Sequence, residues 1–218
     1  MKKVLTLAAA VALASGSAMT HAYEAGDWIL RAGAATVAPD ADSEEVPGLG
    51  VTVDVDDDTQ LSIIPVYMVT EDWGIELLAA TPFEHNIDVN EAPIQAGSTK
   101  HLPPTLTVQW YPRGGSTGWQ PYVGVGLNYT IFFDEKAHRD LEGIVGDADL
   151  DLDDSFGLSA SAGVDIPFGE HWSFNAGIWY IDIDTTATVT LREEDNAKVK
   201  FDVDIDPWVY NIGIAYKF

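Results

Sequence analysis

Large apolar residues alternate with small or polar residues along much of the chain. The last segment shows this most clearly, because every second residue from Trp208 to Phe218 is large and apolar. Residues 156–166 repeat the pattern, and the alternate positions there hold mainly Gly and Ser. A period of two predicts strands whose apolar residues share one face. Small polar residues on the other face are typical of the crowded interior of a narrow barrel.

The same alternation predicts eight strands. They cover residues 28–36, 61–69, 75–83, 106–110, 123–133, 156–166, 172–180 and 208–218. Most have about the 9 to 11 residues that a tilted membrane-spanning strand needs. The connections are short at 71–72, 112–120 and 167–171, and long at about 38–59, 84–102, 134–154 and 184–206. This predicts an all-β fold, an eight-stranded antiparallel up-and-down transmembrane β-barrel with short periplasmic turns and long external loops.

Three charged residues inside the predicted strands test the assignment, and each falls on the face opposite the bulky apolar residues. They are Arg31, Glu76 and Asp165. A lipid-facing charge near the bilayer centre costs about 2 to 4 kcal/mol, so we expect these side chains to point into the barrel. Arg31 and Glu76 lie towards the periplasmic half. We predict that they form a charge plug at the floor of the lumen, a stabilising ion pair more than a transport element.

Inward parity also places apolar side chains in the upper lumen, where a porin has charge and water. These residues are Ile64, Val66, Met68, Phe132 and Ile181, together with Leu78 and Trp179. Leu78 and Trp179 lie at comparable distances along their strands from the short turns, so we expect them at a similar depth. An eight-stranded barrel is wide enough inside only for side chains or one small ligand. We therefore predict that these two residues form a channel constriction; ordinary interior packing is the alternative.

Prolines interrupt the predicted wall near its outer end. Pro82 lies near the end of the third strand, and Pro103 and Pro104 precede the fourth. Proline cannot donate to a strand ladder. We predict a lateral opening at these three residues, and simple termination of the strands at the outer rim is the alternative.

The N-terminus has the features of an export signal. Lys2 and Lys3 precede an apolar stretch at residues 4–14, and small residues lead to Thr20-His21-Ala22. This order predicts a signal peptide, residues 1–22, followed by the barrel domain, residues 23–218. A short buried helix is the disfavoured alternative. Aromatic residues near the strand ends predict interfacial belts, whereas a soluble lipocalin-like barrel or sandwich would hold its Trp residues centrally.

Charge and cysteine content exclude several classes of function. The 218 residues include 11 Lys and Arg against 35 Asp and Glu, a formal net charge of −24, and no Cys. Nucleic acid is disfavoured as a partner, because phosphates are bound by clustered basic residues. The absence of Cys excludes a disulfide scaffold, a zinc–thiolate site and thiol catalysis. Most acidic residues fall in the four long connections, which predicts an acidic collar outside the membrane.

Acidic runs in these connections offer oxygen ligands to hard cations. Asp147, Asp149 and Asp151 form the best match, but the run lacks the Gly and the distal Glu of an EF-hand loop. The sequence thus predicts no defined metal site and no cofactor. Diffuse binding of calcium or magnesium stays open, with a solvated acidic loop as the alternative.

An enzyme is disfavoured. Barrel enzymes that act on lipid A need a His with Ser or Asp near the outer leaflet. His85, His101 and His138 are placed to lie outside, but no spacing typical of a Ser-His-Asp triad stands out.

The chain resembles the outer membrane protein W family, which includes alkane-import channels. The stretches that carry the resemblance are 31–33 (RAG), 74–83 (GIELLAATPF), 101–105 (HLPPT), 109–111 (QWY), 121–124 (PYVG), 128–130 (NYT), 179–187 (WYIDIDTTA) and 206–209 (DPWV). The resemblance implies an eight-stranded barrel in the bacterial outer membrane, with a narrow channel that admits small hydrophobic molecules and releases them sideways into the membrane.

The implied partners are outer-membrane lipid and lipopolysaccharide, small hydrophobic solutes and the barrel assembly machinery, for which the terminal Phe218 is a typical signal. A structural or adhesive barrel that presents acidic external loops is the alternative function. The apolar lumen residues favour the channel, because an adhesin has no need of them.

Overall fold

The strands predicted from the sequence pair with one another and close into a barrel. The structure is a computed structural model that describes residues 22–47, 50–90, 92, 94–193 and 195–218. The predicted signal peptide, apart from Ala22, lies outside these residues. The described residues form the following elements: β1 (Trp28–Ala38), β2 (Asp42–Ser43), β3 (Val53–Val55), β4 (Asp58–Met68), β5 (Trp73–Ala80), β6 (Phe83–Val89), β7 (Gln95–Leu102), β8 (Thr105–Trp110), β9 (Gln120–Ala137), α1 (Arg139–Val145), β10 (Ala148–Leu152), β11 (Ser155–Pro167), β12 (Trp172–Ile181), β13 (Asp184–Leu191), β14 (Ala197–Asp204) and β15 (Trp208–Lys217).

Eight of these strands form the barrel wall. In order around the barrel they are β1, β4, β5, β8, β9, β11, β12 and β15, and β15 pairs with β1 to close the ring. Every ladder between neighbours is antiparallel. The predicted fold class is therefore confirmed. Among the described residues, no helix is long and apolar enough to cross a membrane.

The outer wall carries large apolar side chains because alternate residues of each strand point away from the lumen. Leu106, Leu127 and Leu158 lie side by side on β8, β9 and β11, and each is about half exposed or more. Exposed aromatic residues border this apolar surface. Those near the short turns are Trp28, Trp73, Trp110, Trp119, Trp172 and Phe218, and those at the other end are Trp208 and Tyr210. The arrangement is that of a lipid-facing band between two aromatic girdles.

The long connections contain more regular structure than the sequence predicted. β6 and β7 form a hairpin that extends the wall, since β7 pairs with the upper part of β9. β10, β13, β14 and β2 form a separate four-stranded sheet. In β14, Val199, Phe201 and Val203 alternate with polar residues, so this strand also has one buried face. We call this part of the molecule, above the eight-stranded wall, the loop end.

The third predicted strand ends earlier than expected. It was predicted to run to residue 83, but β5 ends at Ala80, and Phe83 begins β6. Even-numbered residues such as Glu76 and Leu78 face inward on β5, whereas Phe83 is the first of the odd-numbered residues that face inward on β6. The irregular segment at Thr81 and Pro82 therefore reverses the parity, as a one-residue shift in a strand must.

The middle of the lipid-facing wall can be tested with a charge. Leu127→Arg should lower the free energy of unfolding in lipid vesicles by about 2 to 4 kcal/mol, because Leu127 lies midway along the membrane part of β9. Val123→Arg, nearer the short turns on the same strand, should cost about 0 to 1 kcal/mol. Urea titration in vesicles measures both. Equal losses at the two positions would contradict this placement of Leu127.

Candidate functional site

A buried cluster of charges crosses the barrel near its short-turn end. Arg31 extends from β1 between Glu76 on β5 and Asp165 on β11. Its Nη1 lies 2.5 Å from Glu76 Oε2, and its Nη2 lies 2.7 Å from Asp165 Oδ2. All three residues are completely buried. Because the carboxylates come from separate parts of the wall, one guanidinium ties three strands together across the lumen.

Neutral donors complete the cluster. Tyr23 Oη and Asn175 Nδ2 each donate to Asp165 over 2.8 Å, and Trp179 Nε1 donates to Glu76 Oε1 over 3.1 Å. Arg31 also donates to the hydroxyl of Tyr111. Each of the four carboxylate oxygens thus accepts a hydrogen bond, as buried charges require. We call Arg31, Glu76, Asp165 and these donors the plug.

The sequence predicted only part of the plug. Arg31 and Glu76 were named, and the structure brings them into contact. Asp165 was recognised as inward by parity but not as the second carboxylate of the cluster. The alternation of apolar and polar residues could not predict the hydrogen bond from Tyr23 to Asp165, because Tyr23 precedes the first strand.

The apolar interior divides into two clusters on either side of the plug. The upper cluster contains Leu78, Trp179 and Ile181, together with Ile64 and Phe132. Val66 and Met68 instead pack with tyrosines in a lower cluster, nearer the short turns. Their predicted place in the upper passage is wrong. Both residues lie near the end of β4. Val66 pairs with Glu76 and is therefore level with the plug, and Met68 pairs with Gly74 and lies below it.

Trp179 forms the boundary between the plug and the upper cluster. Its indole N–H reaches Glu76, two residues before Leu78 on β5, while its ring belongs to the apolar cluster. Gly177 leaves the space for this ring, because a Cβ there would lie 2.6 Å from Trp179 Cη2. Leu78 and Trp179 are both buried inside the barrel. The positions of these two side chains are compatible with a constriction of the lumen directly above the plug.

Above this point the loop-end strands enclose an apolar cavity, which we call the chamber. It comprises about 670 Å³ of space between atoms, part of it open to solvent. Its apolar lining includes Val53, Val55, Ile87, Ala96, Phe132, Leu141, Leu150, Leu152, Ala187, Val189, Phe201, Val203 and Ile205. Apart from Phe132, these residues lie in connections that the sequence analysis treated as solvated loops. Their period-two alternation was the signal that could have revealed them.

Two histidines, treated in the sequence analysis only as possible external catalytic residues, also line the chamber. His85 on β6 and His101 on β7 are 1% and 4% exposed. Burial lowers the pKa of His101 to about 3, with a further lowering by the imidazole of His85. Burial also lowers the pKa of His85, against the raising effect of a hydrogen bond to the backbone of Asp56. Both rings are therefore neutral at neutral pH.

The three prolines of the predicted lateral opening flank a gap in strand pairing. The β5–β8 ladder ends at Leu78 opposite Thr105, and the β6–β7 ladder begins at Phe83 opposite His101. Pro82 lies on one side of the gap, and Pro103 and Pro104 lie on the other. A narrow, partly open cavity adjoins the gap; it is lined by Val37, Leu78, Ala80, Phe83, Pro103 and Val209. The upper cluster thus reaches the unpaired part of the wall.

Acidic residues at the loop end are arranged differently from the weak match in the sequence. Asp149 is bound by Arg192, with 2.5 Å between the oxygen and the nitrogen. Among the described residues, the group of three potential ligands that lies close together is Asp182, Asp184 and Asp206, whose oxygens are within 4.8 Å of one another. The structure does not bring Asp147, Asp149 and Asp151 together in this way.

Comparison with known proteins identifies the relatives of this chain. The model of the OmpW family matches residues 24–218. Outer membrane protein W of Vibrio cholerae is 42% identical over 213 residues, which cover 96% of each chain. The crystal structure of the outer membrane protein OprG from Pseudomonas aeruginosa has a TM-score of 0.85 and 43% identity, over 91% of this chain and 99% of that one. The solid-state NMR structure of AlkL in lipid bilayers, at 21% identity, has a TM-score of 0.66 over 93% of this chain and 95% of that one, and shows the same fold.

The contribution of the plug to stability can be measured by removing its cation. Arg31→Met leaves two buried carboxylates without a counter-charge, so the free energy of unfolding should fall by about 3 to 5 kcal/mol. The triple variant Arg31→Met, Glu76→Gln, Asp165→Asn should recover part of this loss, because no charge is then buried. Arg113→Met, at an exposed arginine in a short turn, is the control and should change stability by less than about 0.5 kcal/mol. If the triple variant is as unstable as Arg31→Met, buried charge is not the cause.

Proposed function

The chain belongs to the OmpW family and lies in the bacterial outer membrane, and from this we propose that it is a passive channel for small hydrophobic molecules. The observation that carries the proposal is an apolar chamber that leads to a polar, closed plug. A chamber lined almost wholly by aliphatic and aromatic side chains favours solutes that gain by leaving water. No catalytic step is involved.

The plug sets the direction of the path. An apolar solute that reaches Leu78 and Trp179 meets fully buried charges whose hydrogen bonds it cannot replace. Passing further would separate Arg31 from its carboxylates and leave them unpaired, which is costly in a dry interior. The short-turn end of the barrel is therefore closed to such a solute, and the route continues sideways.

The gap in strand pairing offers the exit. Residues 79–82 and 102–104 lie between the two ladders and make no paired contact across the gap. On its other side β5 remains bonded to β4, since Thr81 N donates to Leu61 O over 2.9 Å. The wall is thus held in place around an interrupted segment that adjoins Leu78. A hydrophobic solute that leaves here enters lipid without crossing water.

A structural or adhesive barrel is the second candidate, favoured by one observation. The loop end is built from ordered strands and carries a large excess of acidic residues on its exposed faces, which suits the presentation of a fixed surface. Such a function does not use the chamber, so variants of buried chamber residues that fold normally separate the two candidates.

A matched pair of substitutions tests the path. Leu78→Gln places a polar group above the plug and should reduce the uptake of a small alkane by cells about tenfold, corresponding to about 1.4 kcal/mol. Met68→Gln places the same group below the plug and should leave uptake unchanged, because the solute does not pass there. Both residues are buried, and both variants are compared at equal amounts of folded protein in the outer membrane.

Two results would contradict the path. Unaltered uptake in Leu78→Gln would remove the role of this residue and would favour the adhesive function. An equal decrease in Met68→Gln would mean that solutes cross the floor.

The lateral exit has its own test. Ala80→Phe should fill the small cavity at the gap and slow uptake several-fold, while binding of the solute to purified protein stays within about twofold, a difference of roughly 0.4 kcal/mol. Ala79→Phe is the control, because Ala79 pairs with the lipid-exposed Ile63 and has the opposite parity. Equal uptake by the two variants would show that solutes leave by another route.

A further inference from the structure

Two imidazole rings lie face to face at one side of the chamber. The ring centroids of His85 and His101 are 4.8 Å apart, and the ring planes differ by 5°. Phe83 stacks against both rings, and Phe132 contacts His101 edge-on. The rings are held by aromatic neighbours on adjacent strands, so the two imidazoles occupy fixed positions beside the chamber.

The protonation of His85 follows from its hydrogen bond. Its Nδ1 contacts the carbonyl oxygen of Asp56. A carbonyl oxygen only accepts, so Nδ1 carries the proton and donates it. In a neutral imidazole the other nitrogen then has no proton. His85 Nε2 is therefore a bare acceptor that faces an apolar environment.

The Nε2 atoms of both histidines are buried and have no hydrogen-bond partner. Buried polar atoms are normally paired, and an unpaired one requires an explanation. Among the described residues the pair belongs to no group of three close metal ligands. His85 and His101 are among the residues that line the chamber, so the nearest source of a partner other than water is a solute held there.

We propose that His85 and His101 bind the hydroxyl group of a small aliphatic alcohol whose hydrocarbon chain lies in the chamber. This inference rests on the proposed channel function and specifies a class of solute for it. The hydroxyl donates to His85 Nε2. It accepts from His101 when that ring carries its proton on Nε2, a tautomer available to a neutral imidazole.

Other polar groups fit this pair less well. A ketone or ester only accepts, so it cannot satisfy the bare nitrogen of His85. A carboxylate has no positive partner here, because both rings are neutral, and an ammonium group would bring an unpaired charge into an apolar cavity. An alkane fits the lining but leaves both nitrogens unpaired. A hydroxyl can donate to one ring and accept from the other.

The direct test uses the unaltered protein in lipid nanodiscs, with ¹⁵N-labelled histidine and ¹³C-labelled alanine methyl groups. Hexan-1-ol should shift the ¹⁵N signal of His85 Nε2, because a bare nitrogen becomes a hydrogen-bond acceptor. Hexane should shift the methyl signals of Ala96 and Ala187, which line the chamber, without that ¹⁵N shift. The methyl signals report occupation of the chamber, and the nitrogen signal reports the hydroxyl contact.

Substitution of His85 tests how much the hydroxyl contact contributes to the affinity for the alcohol. His85→Phe keeps an aromatic ring in the stack and removes the acceptor, so affinity for hexan-1-ol should fall about tenfold relative to that for hexane. His171→Phe is the control, since His171 lies in a short turn far along the chain from the chamber. The labelled wild-type experiment stands even if His85→Phe does not fold.

The outcomes separate this inference from the function on which it rests. Methyl shifts with both solutes but no ¹⁵N shift with hexan-1-ol would overturn the hydroxyl site and leave the channel intact. An unchanged ratio of affinities in folded His85→Phe would do the same. Absence of any methyl shift with either solute would overturn the hydroxyl site and the proposed channel together.

Discussion

The interior of this barrel is organised by one buried cation. Arg31 is tied to Glu76 and Asp165 with no exposed surface, and every carboxylate oxygen of this cluster has a donor. Buried charges of this kind tolerate little displacement, because losing one partner leaves an uncompensated charge in a medium of low polarity. The cluster therefore fixes where the lumen is closed. It separates the tyrosine-rich lower cluster from the apolar upper one. Trp179 joins the plug to the upper cluster, because its N–H is bonded to Glu76 and its ring packs among the apolar side chains.

A second constraint acts on the wall. Proline has no N–H to donate, and the segment around Pro82 changes which residues face inward. Below it the even-numbered Leu78 points to the lumen, and above it the odd-numbered Phe83 and His85 do. The gap in pairing and the position of His85 at the chamber are thus two effects of the same interruption. Without the change in parity, His85 would lie on the outer face, and the chamber would lose its stacked pair of rings.

The sequence predicts those strands whose alternation of apolar and polar residues matches the two environments on their faces. The eight wall strands have lipid on one side and a crowded lumen on the other, so alternation is strong. Parity predicts an inward direction for Arg31 and Glu76, and both side chains are buried in the structure. The same rule placed Val66 and Met68 inside but not at the right height, because depth depends on how strands are staggered. The loop-end strands were missed because they are short and their polar faces carry Asp, Lys and Thr, as solvated loops do. The partnership of Asp165 and Tyr23 with the plug arises from contacts between residues 142 positions apart, which alternation does not encode.

Charge, apolar lining and the plug act on a solute at successive depths. At the loop end several of the few basic residues are already paired: Lys100 and Lys136 lie 2.8 and 2.9 Å from Asp134, and hydrogen bonds from them lower the pKa of Asp134 to about 2. Acidic residues far outnumber basic ones in the whole chain, which has a formal net charge of −24, so the loop end stays strongly negative even with these pairs. At physiological salt this field is screened in solution beyond about 8 Å, so it discourages anions at the mouth. Within the chamber the selection is by desolvation, which penalises a charge of either sign most strongly and penalises a neutral polar group when that group finds no hydrogen-bond partner. A neutral molecule with one polar group passes both conditions, and that combination makes the unpaired nitrogens of His85 and His101 consequential.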